Sequence, residues 1–356
     1  MKEEINLLQQ ELYDVLKKAE YNKRKIRIFR TLCYGCALIY FLGLIAMQVL
    51  VYSGGDMSFF YTLNPNPTFF EKYKMLIIIA PLFVLIIIGG FGLSFFQQKY
   101  GMAEQNSIRR IIHTLFPDAK LTFSLTDVSP ILLQSSNFFG KIDSQYMTAI
   151  SSGMLVFENK DQKITFRDTL VYSAKKKNLL AEIPILGGLL MAMEMMFKGL
   201  FSKRIENIAG SFRGIFADAR LEKKINGTVV VLPDRLERHL DYLAKNIQAL
   251  KSVNGNKLVT LEDPEFERYF AVYSNDEITA RYVLTPAMML RMTELKKKYN
   301  REIMLSFSGS YFYFAVSMPE GFLTLGNSSL TSGEALKDFY DNIATAREIM
   351  NDLKLN

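Results

Sequence analysis

Histidine and cysteine are almost missing from this chain. His113, His239, Cys33 and Cys36 are the whole supply in 356 residues, and tryptophan does not occur. The histidines are far apart and neither lies in a recognisable motif. That excludes a His-Glu-x-x-His zinc site and leaves no evident Ser–His or Cys–His nucleophile pair. Walker loops, Gly-x-Ser-x-Gly elbows and a Gly-x-Gly-x-x-Gly turn after a strand are absent too. Cys33 and Cys36 form a Cys-x-x-Cys, but no second ligand pair and no βαβ pattern surrounds them. They read as small polarizable residues packing in a helix. With no further cysteine the rest of the chain holds no disulfide, in agreement with a reducing compartment. The lack of tryptophan decides nothing.

Charge is the next absence. Thr31–Tyr52 and Met75–Gln98 contain no Lys, Arg, Asp, Glu or His. At about 1.5 Å of rise per residue the first run makes a helix of roughly 33 Å, enough for a hydrocarbon core of about 30 Å. The expectation is two transmembrane helices. Lys17, Lys18, Lys23, Arg24, Lys25, Arg27 and Arg30 precede the first run, whereas the connection carries only Lys72 and Lys74 against Asp56 and Glu71. The positive-inside rule then places both termini in the cytoplasm of a multi-pass membrane protein. Its outer loop, 53–74, is rich in aromatic residues suited to the headgroup layer.

The net charge of +7 gives weak grounds for a nucleic-acid partner. Much of the excess sits beside the first uncharged run, where anionic lipid explains it equally well, and no nucleic-acid-binding signature accompanies it. The partner expected there is the lipid bilayer, and no nucleic acid. Ile5, Leu8, Leu12, Val15, Ala19, Ile26 and Phe29 alternate at three and four, which offers residues 5–29 as a seam for self-association or for packing on the protein's own helices.

The expected organisation is a basic amphipathic helix (1–30), a two-helix anchor (31–98), a membrane-proximal α+β region (99–201) and a C-terminal α+β domain (202–356). Strands are expected over 147–158 and 164–173. Phe212–Leu221 and Val229–Leu232 read as a hairpin about Asn226-Gly227. Ile303–Ser308 and Tyr311–Ser317 read as another, with Gly309 at the first turn position of type II′. Asp234 with Glu237, Asp263-Pro264 and Thr285-Pro286 each start a helix, and a closing helix covers 332–353. Strands and helices without βα alternation give fold class α+β.

Leu179–Phe201 is nearly all apolar, includes Met191, Met193, Met195 and Met196, and is bracketed by Lys175, Lys176, Lys177, Lys203 and Arg204. A third span, a buried helix and an interfacial or partner-binding element all fit. The last makes Lys175, Lys176, Lys177, Met191, Met195 and Lys198 the candidate membrane-interface residues.

Ser211–Phe216, Thr228–Asp234, Leu261–Glu267 with Phe270–Ser274, and Ala280–Pro286 resemble, in order, the bacterial family called domain of unknown function 3137. The resemblance covers roughly Phe197 to Ser317. It implies membrane helices ahead of such a domain, a place in the bacterial inner membrane and a neighbourhood with LemA-type membrane proteins, hence a LemA-type partner. No catalytic or binding residue comes with it.

Carboxylates are densest at Glu262, Asp263, Glu265 and Glu267, with Asp276 and Glu277 nearby. Two metals there could support hydrolysis, but capping accounts for Asp263 and Asp276, and the others read as a solvated helix face. Arg281 is a candidate anion site, with a structural ion pair as its alternative. The sequence thus favours a non-enzymatic, membrane-anchored binding or scaffold protein without a cofactor. The second reading is a membrane-tethered hydrolase of lipid or phosphate-containing substrates.

Overall fold

A computed structural model describes residues 2–52, 74–139, 147–159, 162–173, 212–221, 224–233, 256–326 and 328–352. The chain divides into two compact units, one of Gln9–Ser107 and one of Met1–Leu8 with Ile108–Asn356.

The first unit is an antiparallel pair formed by most of α1 (Lys2–Tyr52) and α2 (Lys74–Leu115). Small residues set the approach. A Cβ on Gly89 would collide with Cys33 Sγ, and one on Gly92 with the Phe29 ring. Phe29 and Phe96 stack at 5.5 Å. The Cys33 thiol lies 3.8 Å from the Ile86 carbonyl, and burial followed by the nearby Cys36 raises its pKa above 9.0. This is the behaviour of a packing cysteine. Leu12, Leu16, Ala19 and Ile26, the inner stripe of α1, are buried, whereas Ile39, Leu42, Ile88 and Phe91 are exposed.

Among the described residues no helix is long and apolar enough to cross a membrane. This corrects the expectation of two transmembrane helices, and with it the placement as a multi-pass inner-membrane protein with both termini cytoplasmic. Each uncharged run is part of a longer helix of 51 or 42 residues. Thr31 continues without a break from the turns carrying Lys17 to Arg30, and Gln98 runs on toward Leu115. A helix packed on another helix excludes charge from its contact side just as a lipid-facing one does, so absence of charge does not separate the two. The outer loop, 53–74, lies outside the described residues but for Lys74.

The second unit is built on one antiparallel sheet. Its strands are β1 (Ala119–Thr122), β2 (Thr126–Asp127), β3 (Met147–Asn159), β4 (Gln162–Ser173), β5 (Phe212–Arg220), β6 (Thr228–Pro233), β7 (Lys257–Val259), β8 (Phe270–Ser274), β9 (Ile303–Ser308) and β10 (Tyr311–Ser317). They lie in the order β1-β3-β4-β5-β10-β9-β6-β8-β7, with β2 on the edge of β3. The helices are α3 (Pro130–Ser135), α4 (Pro264–Glu267), α5 (Glu277–Val283), α6 (Pro286–Tyr299) and α7 (Glu334–Asp352). The architecture is mixed α+β.

Two expectations about the sheet meet a different outcome. First, β4 pairs with β5 from Ile164↔Ala219 to Val171↔Phe212. The sheet is therefore continuous across the boundary expected between 201 and 202. Second, β5 and β6 do not form a hairpin with each other. The β9–β10 hairpin sits between them, with β10 on β5 and β9 on β6. Leu221 donates to the Ser310 carbonyl and Ile225 to that of Gly309, so the chain passes around the tip of that hairpin to reach β6. The tip has Gly309 at φ 61°, as a type II′ turn requires.

Central strands are buried on both faces: Val229–Pro233, Ile303–Phe307 and Phe312–Val316 contain no exposed residue. Such strands need apolar residues at consecutive positions, not alternate ones. One face packs Phe212, Phe216, Val230, Met304 and Tyr313 against Leu133, Phe138 and Phe139 from α3 and the turn after it. On the other, Phe157 and Phe166 meet edge to face at 5.8 Å, and Phe116 joins Phe157 at 6.2 Å and Tyr340 of α7 at 5.3 Å. Aromatic pairs in these geometries add about 0.5–1.5 kcal/mol beyond the area they bury.

Candidate functional site

A segment between β10 and α7 forms the wall of a cavity. Residues 318–326 cross three strands as a strap. The Met318 amide donates to the Arg213 carbonyl of β5 at 2.8 Å. The Phe322 amide donates to Asp168 Oδ1 of β4 at 3.0 Å. Leu323 covers Gly153 of β3, where a Cβ would stand 2.8 Å from its side chain. Asp168 is 3 % exposed. Its second oxygen accepts the Ser152 hydroxyl at 2.7 Å and faces the Arg213 guanidinium at 3.9 Å. Ser152 is the extra residue of a bulge between Ser151 and Gly153. Bulges re-aim side chains, and this one turns a hydroxyl onto the buried carboxylate. Gly321, at φ 95°, permits the strap to turn directly over Arg213 and Asp168.

The cavity lies between this strap, the first turns of α7 and the end of α6, with a volume of about 340 Å³. Buried Met318, Leu325 and Phe339 supply its apolar part. Lys298 and Arg301 line it together with Glu320, Asp338 and Asp341. Local sequence explains the basic end. Thr285 caps α6 by accepting the Met288 amide, Pro286 begins it, and Asn300 in the left-handed conformation (φ 47°) ends it, so that Arg301 leaves at the cavity edge. The Lys298 amine is held above its ordinary value first by its contact with Tyr299, then by Glu348 and Asp341. Among the described residues the Arg301 guanidinium makes one long hydrogen bond, 3.5 Å to the Ser317 carbonyl. Asp338 accepts the Ser328 hydroxyl at 3.1 Å. Cations and carboxylates thus stand around one space.

The carboxylates singled out in the sequence do not converge. Asp263 accepts the amides of Glu265 and Phe266 as the cap of α4. Asp276 caps α5, and the Thr279 hydroxyl followed by the Ile278 amide holds its carboxyl below 3.8. Glu267 accepts the Leu261 amide, and Glu265 pairs with Lys297. Arg281 pairs with Glu277 at 2.9 Å and Glu262 at 3.5 Å and donates to the Thr260 carbonyl at 3.1 Å. Among the described residues no group of His, Cys, Asp and Glu is placed to hold a metal ion. Lys175, Lys176, Lys177, Met191, Met195 and Lys198 lie outside the described residues, as does the helix start at Asp234. The cavity residues escaped the sequence reading because three separate segments supply them and none carries a local motif.

Fold and cavity define a mixed α+β protein with a large antiparallel sheet and a polar cleft at the end of its β9–β10 hairpin. Residues 210–355 match the family described as protein of unknown function, DUF3137. No curated protein matches it. Among solved structures, the crystal structure of the mycobacterial trehalose monomycolate transport factor A, TtfA, is similar at 12 % identity, over 62 % of this chain and 86 % of that one, with a TM-score of 0.29. So low a score carries no argument about function.

Proposed function

We propose that this chain is a non-enzymatic binding or scaffold protein whose sheet unit engages its partner through polar surface features. The observation that carries this reading is the dispersal of the carboxylates. Hydrolysis on a two-metal or acid–base site requires several acids aimed at one point. Here Asp263 and Asp276 are spent on helix caps, and Glu262, Glu265, Glu267 and Glu277 on ion pairs or backbone amides. Arg281 is half-exposed and answered by two of these acids, so it does not head a pocket for phosphate. The competing hydrolase reading would need such a pocket.

A LemA-type protein is the partner this reading expects. Isolation of the intact protein under mild conditions, with mass spectrometry of what accompanies it, should recover one protein in near-stoichiometric amount. Turnover of p-nitrophenyl phosphate or of a phospholipid by the purified chain, abolished by Arg281→Gln, would replace the binding reading with the hydrolase one.

A further inference from the structure

The cleft beside α7 is built for a ligand that carries both signs of charge. Arg301 has one protein acceptor among the described residues, the Ser317 carbonyl at the outer limit of hydrogen bonding. Its remaining N–H groups have none. A guanidinium presents five donors in a planar fork suited to a carboxylate, and here most of them stay open at the edge of a cavity. On the α7 side, Asp341 makes no hydrogen bond among the described residues, though its charge acts on the Lys298 amine, and Asp338 accepts the Ser328 hydroxyl on Oδ2. Acceptors for an ammonium group are therefore open on the helix while donors for a carboxylate are open on the turn. Between them, Met318, Leu325 and Phe339 bring buried apolar surface to the cavity. The volume of about 340 Å³ equals some ~11 water molecules at ~30 Å³ each. That suits a small molecule and not a long lipid chain.

We infer that this cleft binds an amino-acid-like zwitterion of short-peptide size, its carboxylate on Arg301, its ammonium on Asp341 and Asp338, and an apolar side chain toward Leu325 and Phe339. The inference rests on the non-enzymatic binding reading and gives it a ligand class. A bare anion would leave the α7 acids with only the Lys298 charge to answer them, and a bare cation would leave the Arg301 fork open. Specificity comes from the requirement for both, because the wrong ligand leaves charged groups without partners.

Calorimetric titration of the full chain with L-alanyl-L-leucine tests this. The dipeptide should bind, and its N-acetyl and C-terminal amide derivatives should each bind at least about tenfold more weakly, the usual scale for losing one charged hydrogen bond. Arg301→Gln and Asp341→Asn should reproduce those losses. Asp341 is exposed, so its variant retains the fold, and far-UV circular dichroism checks both. No heat with the dipeptide, equal binding of the blocked derivatives, equal binding of inorganic phosphate or putrescine, or full affinity in both variants would each overturn the assignment. The same samples, analysed by chromatography, separate the two levels of the argument. Intact dipeptide at the end agrees with a binding protein, whereas bound dipeptide that is cleaved sustains the site but defeats the non-enzymatic reading. A co-purifying protein partner with no dipeptide binding defeats the site alone.

Discussion

Asp168 should be the residue whose loss does most damage for its size. Its carboxylate is buried and ties three strands to the strap, through the Phe322 amide at 3.0 Å, the Ser152 hydroxyl at 2.7 Å and the Arg213 guanidinium at 3.9 Å. Hydrogen bonds to a charged group are worth about 1.5–3 kcal/mol each, and stripping one member from a buried pair costs about 3–5 kcal/mol because the other is left without its counter-charge. The longer Arg213 contact places Asp168→Ala toward the lower end, near 3–4 kcal/mol. Asp168→Asn also removes the counter-charge of the partly exposed Arg213, but it keeps an acceptor for the Phe322 amide and the Ser152 hydroxyl can reverse, so about 1–2 kcal/mol is expected. With a urea slope of about 2–3 kcal/mol/M, the Ala variant should unfold more than about 1 M earlier than the parent. Hydrogen exchange read by mass spectrometry should lose protection in 318–326 first, ahead of β9 and β10. A midpoint shift for Asp168→Ala below about 0.3 M, or equal shifts for Ala and Asn, would refute the latch.

Three more outcomes are expected. Gly214 has φ 153° and an added Cβ would lie 2.0 Å from the Val316 carbonyl oxygen; Gly214→Ala should cost more than about 3 kcal/mol, seen as low soluble yield or a large midpoint loss, and a near-neutral result would contradict the β5–β10 pairing. Arg281→Gln should change stability by less than about 1 kcal/mol, since its ion pairs are exposed, with the small effect fading in high salt. Burial raises the Tyr313 phenol above 10.0, with the Asp218 charge adding to it and a Ser135 hydrogen bond opposing it. The folded state therefore keeps that proton longer than the unfolded chain does. The stabilisation is complete below pH 10 and is lost as pH rises through the folded value. Tyr313→Phe should flatten that alkaline decline in a urea titration series, and an unchanged slope would remove Tyr313 as its cause.

The features that sequence alone determined here are local ones. Asp263-Pro264 and Thr285-Pro286 carry their own caps and start helices where expected, because a side-chain oxygen two or three residues from an orphan amide needs no distant partner. The β9–β10 hairpin follows from Gly309 and the runs that flank it, and β3 and β4 follow from β-rich runs with a short connection. Class α+β emerged from the same local signals. What tertiary structure decided is what each element meets. Phe212–Arg220 and Thr228–Pro233 are strands as expected, but a hairpin from eighty residues later separates them, and no turn residue encodes that insertion. The uncharged runs of α1 and α2 specify a surface that avoids charge; the pairing of Cys33 with Gly89 and Phe29 with Gly92 supplied one use for it that charge counting cannot express. Asp168 looks unremarkable until a bulge turns the Ser152 hydroxyl onto it and a strap from residue 322 covers it. Arg301 and Asp341 come from elements that only packing brings to one cavity. Local chemistry sets elements because its partners lie within a turn, whereas sites arise where partners are distant, and distance along the chain leaves no periodicity to read.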